Sequence, residues 1–223
     1  MKRTRDIEDT KSFLRPGNPE YMAPPRILVV IPESTRKRPG GDPSARSVDA
    51  VSDGLPEASR RRLRALREEI RTKTAPRVRP GGVLPAYRRF DGNMYRHIEA
   101  QDWEGRSPDV DVLIVSGLLG IVASRDTIPS YEHSMAESIP PFGKLNRWWH
   151  DQGLAEILRA FIEAARPEAV VDLLSLEYRE AVAGFGTGLG GVAVKKIDFP
   201  GLGRASQPRR GETVARILRT GKP

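Results

Sequence analysis

The sequence predicts an α/β fold: a single domain with a mixed β-sheet flanked by helices. Three observations carry that expectation. Short apolar runs bounded by breakers alternate with longer amphipathic stretches, the pattern of strands feeding helices around one sheet. The chain has 223 residues, 38% of them hydrophobic, enough to bury a substantial core. Its charge is also segregated. Residues 1–90 carry a net +10, residues 91–180 a net −8 and residues 181–223 a net +6, within an overall +8.

Residues 1–25 are charged, end in Ala23-Pro24-Pro25 and are expected to form a flexible leader. One domain is expected over residues 26–219, with 220–223 as a tail. Arg26 to Ile31 (RILVVI) reads as a buried strand closed by Pro32, and the Pro-, Gly- and Ser-rich residues 33–56 as a loop. Pro56 to Arg71 is expected to be helical, because Pro suits a first turn and Leu63, Leu66 and Ile70 share one face. Pro76 to Pro85 is breaker-rich and reads as a loop. Tyr87 to Ala100 reads as a turn entering a short helix.

Val110 to Val115 is a second buried strand, ending at Ser116-Gly117. Gly143 to Ala165 has helical periodicity with a candidate break at Gly153. Ala169 to Leu174 is a third strand, followed by a helix from about Leu176 to Val182. Gly184 to Gly191 holds five glycines and reads as a turn. Val192 to Phe199 alternates as an edge strand, and Glu212 to Arg219 closes the chain as a helix.

Composition excludes whole classes of chemistry. With no cysteine there is no disulfide framework, cysteine nucleophile or thiolate metal site. The three histidines have no partner at metal-ligand spacing, so no metal site is expected. No apolar run approaches the roughly 20 residues of a membrane span, and the N-terminus is too polar for a secretory signal. A cytoplasmic protein with anionic partners is expected.

The candidate site residues are polar groups at strand ends and turns. Ser34 and Lys37 follow the first strand three residues apart, a spacing at which a lysine can activate a hydroxyl or hold a phosphate beside Arg38. Asp91 and Tyr95, four apart, share a helix face. Asp91 suits a general base, and Tyr95 suits a phosphate donor or a stacking platform. Ser116 ends a strand where open α/β sheets place ligands, and Tyr131 follows in a polar connection. From Arg71 to Phe90 there are six basic residues (Arg71, Lys73, Arg77, Arg79, Arg88, Arg89) and no acid. All but Arg89 are candidate DNA-backbone contacts. Arg209 and Arg210, read as a turn, are candidate phosphate ligands. Ile197 to Ala205 resembles the hairpin of a helix–hairpin–helix element, but the alternation before it reads as strand.

In this order, several fragments resemble the YaaA family of peroxide-stress proteins, in its actinobacterial form. The family's Leu-Pro-Pro-Ser-x-x-Lys-Arg-x-Gly-Gly loop corresponds to Ile31-Pro32-Glu33-Ser34-Thr35-Arg36-Lys37-Arg38-Pro39-Gly40-Gly41. Its aromatic-x-Gly-x-x-Tyr corresponds to Phe90-Asp91-Gly92-Asn93-Met94-Tyr95. Its Ser-Ala-Leu-x-Gly and Asp-x-Ile-Pro-x-Tyr match Ser116 to Gly120 and Asp126 to Tyr131. Its Val-Val-Asp-Leu-x-Ser-x-x-Tyr matches Val170 to Tyr178, with Asp172 and Ser175 in register. Two departures remove positive charge. Gln207-Pro208-Arg209-Arg210-Gly211 replaces a closing Lys-x-x-Lys/Arg-Gly, and Glu132 stands where an arginine usually follows Tyr131.

The resemblance implies a one-domain α/β protein with a basic cleft, no cofactor, DNA binding and protection from peroxide. The matched hydroxyls and carboxylates look instead like a pocket for a nucleotide or nucleoside-like small molecule. In that alternative, an enzyme, Lys37 and Arg38 hold a phosphate, Asp91 is the base, and Ser34 and Tyr95 are nucleophile or orienting groups.

Overall fold

A computed structural model of the protein describes residues 25–74 and 81–223. The expected leader lies outside these residues except for Pro25, and so do Arg77 and Arg79.

In chain order the elements begin with β1 (Ile27–Pro32), α1 (Ala50–Gly54), α2 (Glu57–Thr74), β2 (Leu84–Pro85) and α3 (Ala86–Arg89). A 3-10 turn over Tyr95–His97 leads to α4 (Ala100–Glu104), β3 (Val110–Ser116), β4 (Gly120–Ala123) and β5 (Thr127–Ile128). Next come β6 (Ser138–Ile139), β7 (Gly143–Lys144), α5 (Leu145–Asp151), α6 (Leu154–Ala165) and β8 (Ala169–Asp172). The chain closes with α7 (Leu176–Ala181), β9 (Ala193–Lys196) and α8 (Ser206–Thr220).

The central sheet has the order β4-β3-β1-β8-β9. Strand β1 runs parallel to both β3 and β8, and β8 runs parallel to β9; only β4, on the edge, is antiparallel. All six residues of β1 are buried, which explains its unbroken apolar run: a central parallel strand is covered on both faces and has no polar side to show. At the far edge, all four residues of β9 are exposed, and Lys195 and Lys196 guard it against pairing with other chains.

The connection leaving β1 leads to β3 on one side, whereas the one leaving β8 leads to β9 on the other. Strand order therefore reverses between β1 and β8, and open α/β sheets form a crevice at the carboxyl ends of such a pair.

Several local expectations are corrected. Residues 33–56 are not wholly loop, because Asp49 caps α1 by accepting the Ser52 N–H at 3.2 Å. Ser116-Gly117 does not leave the sheet. It turns into β4, a four-residue strand too short to stand out by alternation. The stretch from Gly143 to Ala165 opens as strand β7 before it turns helical, and it breaks where expected, at Gly153, whose φ of +82° a side chain would resist. The last helix begins at Ser206 rather than Glu212. Pro208 sits in its first turn, where its missing N–H has no intrahelical role. Arg209 and Arg210 are thus helical, not a turn. The element resembling a helix–hairpin–helix is preceded by strand β9, so the first of its helices is missing. Among the described residues, no helix is long and apolar enough to cross a membrane.

One buried carboxyl gives the fold a pH dependence. Asp126 is 2% exposed and accepts the Ala50 and Ala123 N–H groups, tying the loop after β4 to α1. Burial pushes its pKa up to about 7, assisted by repulsion from Asp49 and opposed by those N–H groups. The unfolded value is about 3.9. The fold therefore binds this proton more tightly, and the associated stability is complete below about pH 4 and lost as pH rises through about 7. Asp126→Asn should flatten urea-unfolding stability between pH 4 and 7, removing a slope worth a few kcal/mol at about 1.4 per unit. A slope equal to wild type would refute this role.

Candidate functional site

A cavity of about 630 Å³ opens at the switch point between β1 and β8. Four separate segments wall it: Glu33 to Arg36 after β1, Asp91 to Arg96 around the 3-10 turn, Ser134 and Ala136 before β6, and Ser175, Glu177 and Tyr178 after β8. Gln207 of α8 closes one side. Close approaches bring these segments together. A Cβ on Gly92 would lie 2.5 Å from that of Ser34, and one on Gly211 would lie 2.2 Å from the Met94 carbonyl oxygen. Only glycine lets the turn meet the first loop and lets α8 press against the turn.

Ser34, Asp91 and Tyr95, all singled out from sequence, line the cavity. The Ser34 hydroxyl donates to the Arg36 carbonyl and accepts the Asp91 and Gly92 N–H groups at 3.2 and 3.1 Å. It is a cross-brace between two loops and forms no hydrogen bond with Lys37. The Asp91 carboxylate accepts from Arg96 at 3.1 Å and lies 3.7 Å from Arg38. The hydrogen bond from Arg96 holds its pKa below the ordinary range, so it stays ionised at neutral pH. The Tyr95 hydroxyl donates to the Pro32 carbonyl at 2.9 Å.

Lys37, Ser116 and Tyr131 lie under the cavity floor, joined through Glu33. The Glu33 carboxylate accepts the Gly117 N–H at 2.7 Å and the Tyr131 hydroxyl at 2.5 Å, and Lys37 Nζ lies 3.4 Å away. Lys37 also donates to the His133 carbonyl at 2.5 Å, and its ammonium sits 4.1 Å from the Tyr131 ring centre. The Ser116 and Tyr131 hydroxyls share a 2.7 Å hydrogen bond. Both side chains of the Glu33–Lys37 pair are almost wholly buried, at 0% and 2% exposure. Burial lowers the Lys37 pKa against the pull of Glu33, and burial lifts the Tyr95, Tyr131 and Tyr178 hydroxyls well above 10. The three tyrosines are therefore neutral at physiological pH and act through hydrogen bonds alone.

The remaining basic candidates divide into two groups. Arg71 pairs with Glu68, Lys73 with Glu69, Arg88 with Glu104 and Arg209 with Glu212, all on exposed surfaces outside the cavity lining. Arg210 is different: it is 5% exposed and, among the described residues, makes no ion pair, and its Nε and Nη1 atoms have no hydrogen-bond partner there.

Sequence reasoning did not single out Glu33, Arg36, Arg96 or Arg179. The spacing of Glu33 and Lys37, four residues apart, was the one local signal for their pairing. Arg179, which follows Ser175 by four residues, holds Asp172 through Nε at 2.8 Å and Asp198 through Nη1 at 2.9 Å. No group of three or more His, Asp or Glu at metal-binding distances occurs among the described residues.

An open α/β sheet with a polar, arginine-rimmed cavity at its switch point defines an α/β domain with a built pocket. The chain belongs to the peroxide stress protein YaaA family, whose model matches residues 42–200. It is similar to a UPF0246 protein of Streptomyces coelicolor, with 30% identity over 156 residues, which is 69% of this chain and 54% of the relative. A UPF0246 protein of Francisella tularensis subsp. tularensis is 28% identical over 97 residues, 42% of this chain and 38% of that one. The chain thus spans about half, or less, of the length of these curated relatives.

Proposed function

We propose that the chain binds a phosphorylated molecule of nucleotide size in the cavity between the ends of β1 and β8. One observation carries the reading: family-matched groups from three distant segments, Ser34, Asp91, Tyr95, Ser175 and Tyr178, converge on a single cavity. About 630 Å³ lies within the usual range for small-molecule sites and is far too small for a duplex. Arg36 and Arg96 at the wall, with Arg38 beside Asp91, supply the positive charge for a phosphate. Asp91, already ionised and paired, orients these arginines, and its low proton affinity makes it a weak general base. Gln207 offers an amide where the resembled motif has lysine, which suits a neutral part of the ligand.

The DNA reading keeps one supporting observation. Arg38 and Arg96 are more than half exposed at the cavity rim, where a single strand could lay its backbone and place one unpaired base inside. A role in peroxide protection is proposed on family membership and would follow if that ligand were a damaged nucleotide. The exposed partners of Arg71, Lys73, Arg88 and Arg209 leave less free charge for a duplex, although such surface pairs dissolve at little cost.

Calorimetric titration separates these readings. Nucleoside monophosphates should bind the wild type, and the Arg36→Ala/Arg96→Ala variant should bind them at least about tenfold more weakly, through lost charge-assisted hydrogen bonds. Absence of mononucleotide binding, together with duplex binding that weakens by nearly one log unit per released phosphate contact as salt rises tenfold, would overturn the proposal.

A further inference from the structure

We infer that Arg210, supported by Arg179, forms a second oxyanion subsite that adjoins the cavity and takes a phosphoryl or carboxylate group. The inference rests on the cavity reading only for which molecule delivers that group. Arg210 lies in α8 with 5% of its surface exposed, and neither Nε nor Nη1 has a partner. A buried guanidinium is ordinarily paired, because removing its charge from water without compensation is strongly unfavourable.

The neighbouring charges do not fill the gap. Asp172 accepts two hydrogen bonds from Arg179, at 2.8 and 3.3 Å, and the Leu174 N–H at 2.9 Å. Asp198 is shared between Arg179 at 2.9 Å and Lys196 at 3.0 Å. Three cations therefore surround two carboxylates, and Arg210 is the one left over. Its guanidinium carbon lies 5.4 Å from the centre of the Phe199 ring. Burial, and then the nearby charge of Arg179, lower its proton affinity against the weaker pull of Asp198 and Asp172.

Position ties the cluster to the cavity. Arg210 follows the cavity residue Gln207 by three positions on α8, and Arg179 follows the cavity residue Ser175 by four after β8. Residues at these spacings lie on one face, about 5–6 Å apart. Two elements thus lead from the cavity wall to the same unmatched charge. A ligand with one anionic group at the Arg36 and Arg96 rim and another at Arg210 would satisfy both.

The test is thermal unfolding of the full chain at constant ionic strength, with chloride exchanged for inorganic phosphate or, separately, acetate. Wild type should show a saturable rise in Tm, about 3–6 °C at ten times the half-saturating concentration. Arg210→Gln should lose that rise while its Tm in chloride equals or exceeds wild type, because an uncompensated buried charge has been removed. Arg210→Lys keeps the charge but not the fork and should need about tenfold more anion. It also decides the matter if the glutamine variant fails to fold. A response to phosphate alone assigns a phosphoryl group; a response to acetate assigns a carboxylate.

An undiminished saturable rise in Arg210→Gln, unchanged half-saturation in Arg210→Lys, or no saturable rise in wild type would overturn the inference. Failure of the cavity reading looks different: mononucleotides would not bind, yet the Arg210-dependent anion response would remain. Failure of this inference alone would leave mononucleotide binding intact in Arg210→Gln.

Discussion

Glu33→Gln is expected to lower stability by about 3–5 kcal/mol, the cost of leaving one partner of a buried ion pair without the other. Lys37 would remain 2% exposed, with the His133 carbonyl and the Tyr131 ring as its main compensation. The amide would also have to satisfy the Gly117 N–H and the Tyr131 hydroxyl, which the two carboxylate oxygens now serve separately. Burial already depresses the Lys37 pKa, and losing Glu33 would depress it further. The sign of the pH effect follows. A lysine with a lowered folded pKa costs stability while it is charged, so the variant should recover stability as pH rises and Lys37 deprotonates. In the double variant Glu33→Gln/Lys37→Met, both charges are gone and much of the loss should return. Urea unfolding of the four proteins in the cycle measures the coupling. Purely additive losses would show that the pair does not hold the cavity floor.

Arg89→Met should be nearly as severe, costing about 3–5 kcal/mol through the loss of several buried hydrogen bonds. Arg89 is completely buried and has no carboxylate partner in its hydrogen-bond set. Its guanidinium donates instead to the carbonyls of Arg38, Gly40, Gly82 and Ile128. One side chain thus fastens the loop after β1 to the approaches of β2 and to β5. Arg38 and Gly40 lie in the loop that begins with Ser34, so loosening it should weaken ligand binding together with stability. Lysine cannot substitute, because its compact ammonium cannot reach four carbonyls in a planar fork. The check is paired: urea unfolding and mononucleotide titration on Arg89→Met and Arg89→Lys. A loss below about 1 kcal/mol in both variants would contradict this role.

The parallel core was legible in the sequence because burial on both faces writes a continuous apolar run. RILVVI before Pro32 and the run from Val110 to Val115 needed no tertiary knowledge. Strand β4 was not legible, since a four-residue hairpin arm carries too few alternations to register. Helix α8 was read six residues short at its start, although Pro208 fits the first turn, where its missing N–H costs nothing.

At the site, motif positions identified Ser34, Asp91, Tyr95, Ser175 and Tyr178, but not which groups are exposed to a ligand. Lys37 and Tyr131 have the composition of ligand contacts and instead complete a buried network around Glu33. Arg210 and Arg209 are adjacent in sequence, yet one is buried without a partner and the other is exposed beside Glu212. Helical phase separates them, and that phase became visible only with the correct start of α8.

Amide chemical-shift mapping of the labelled chain with a nucleoside monophosphate tests most directly whether the switch-point cavity is the ligand site. Shifts should concentrate in Ser34 to Arg36, Asp91 to Arg96 and Ser175 to Tyr178. No response there to any mononucleotide, with shifts appearing only on the outer faces of α2 and α8 when duplex DNA is added, would contradict that reading.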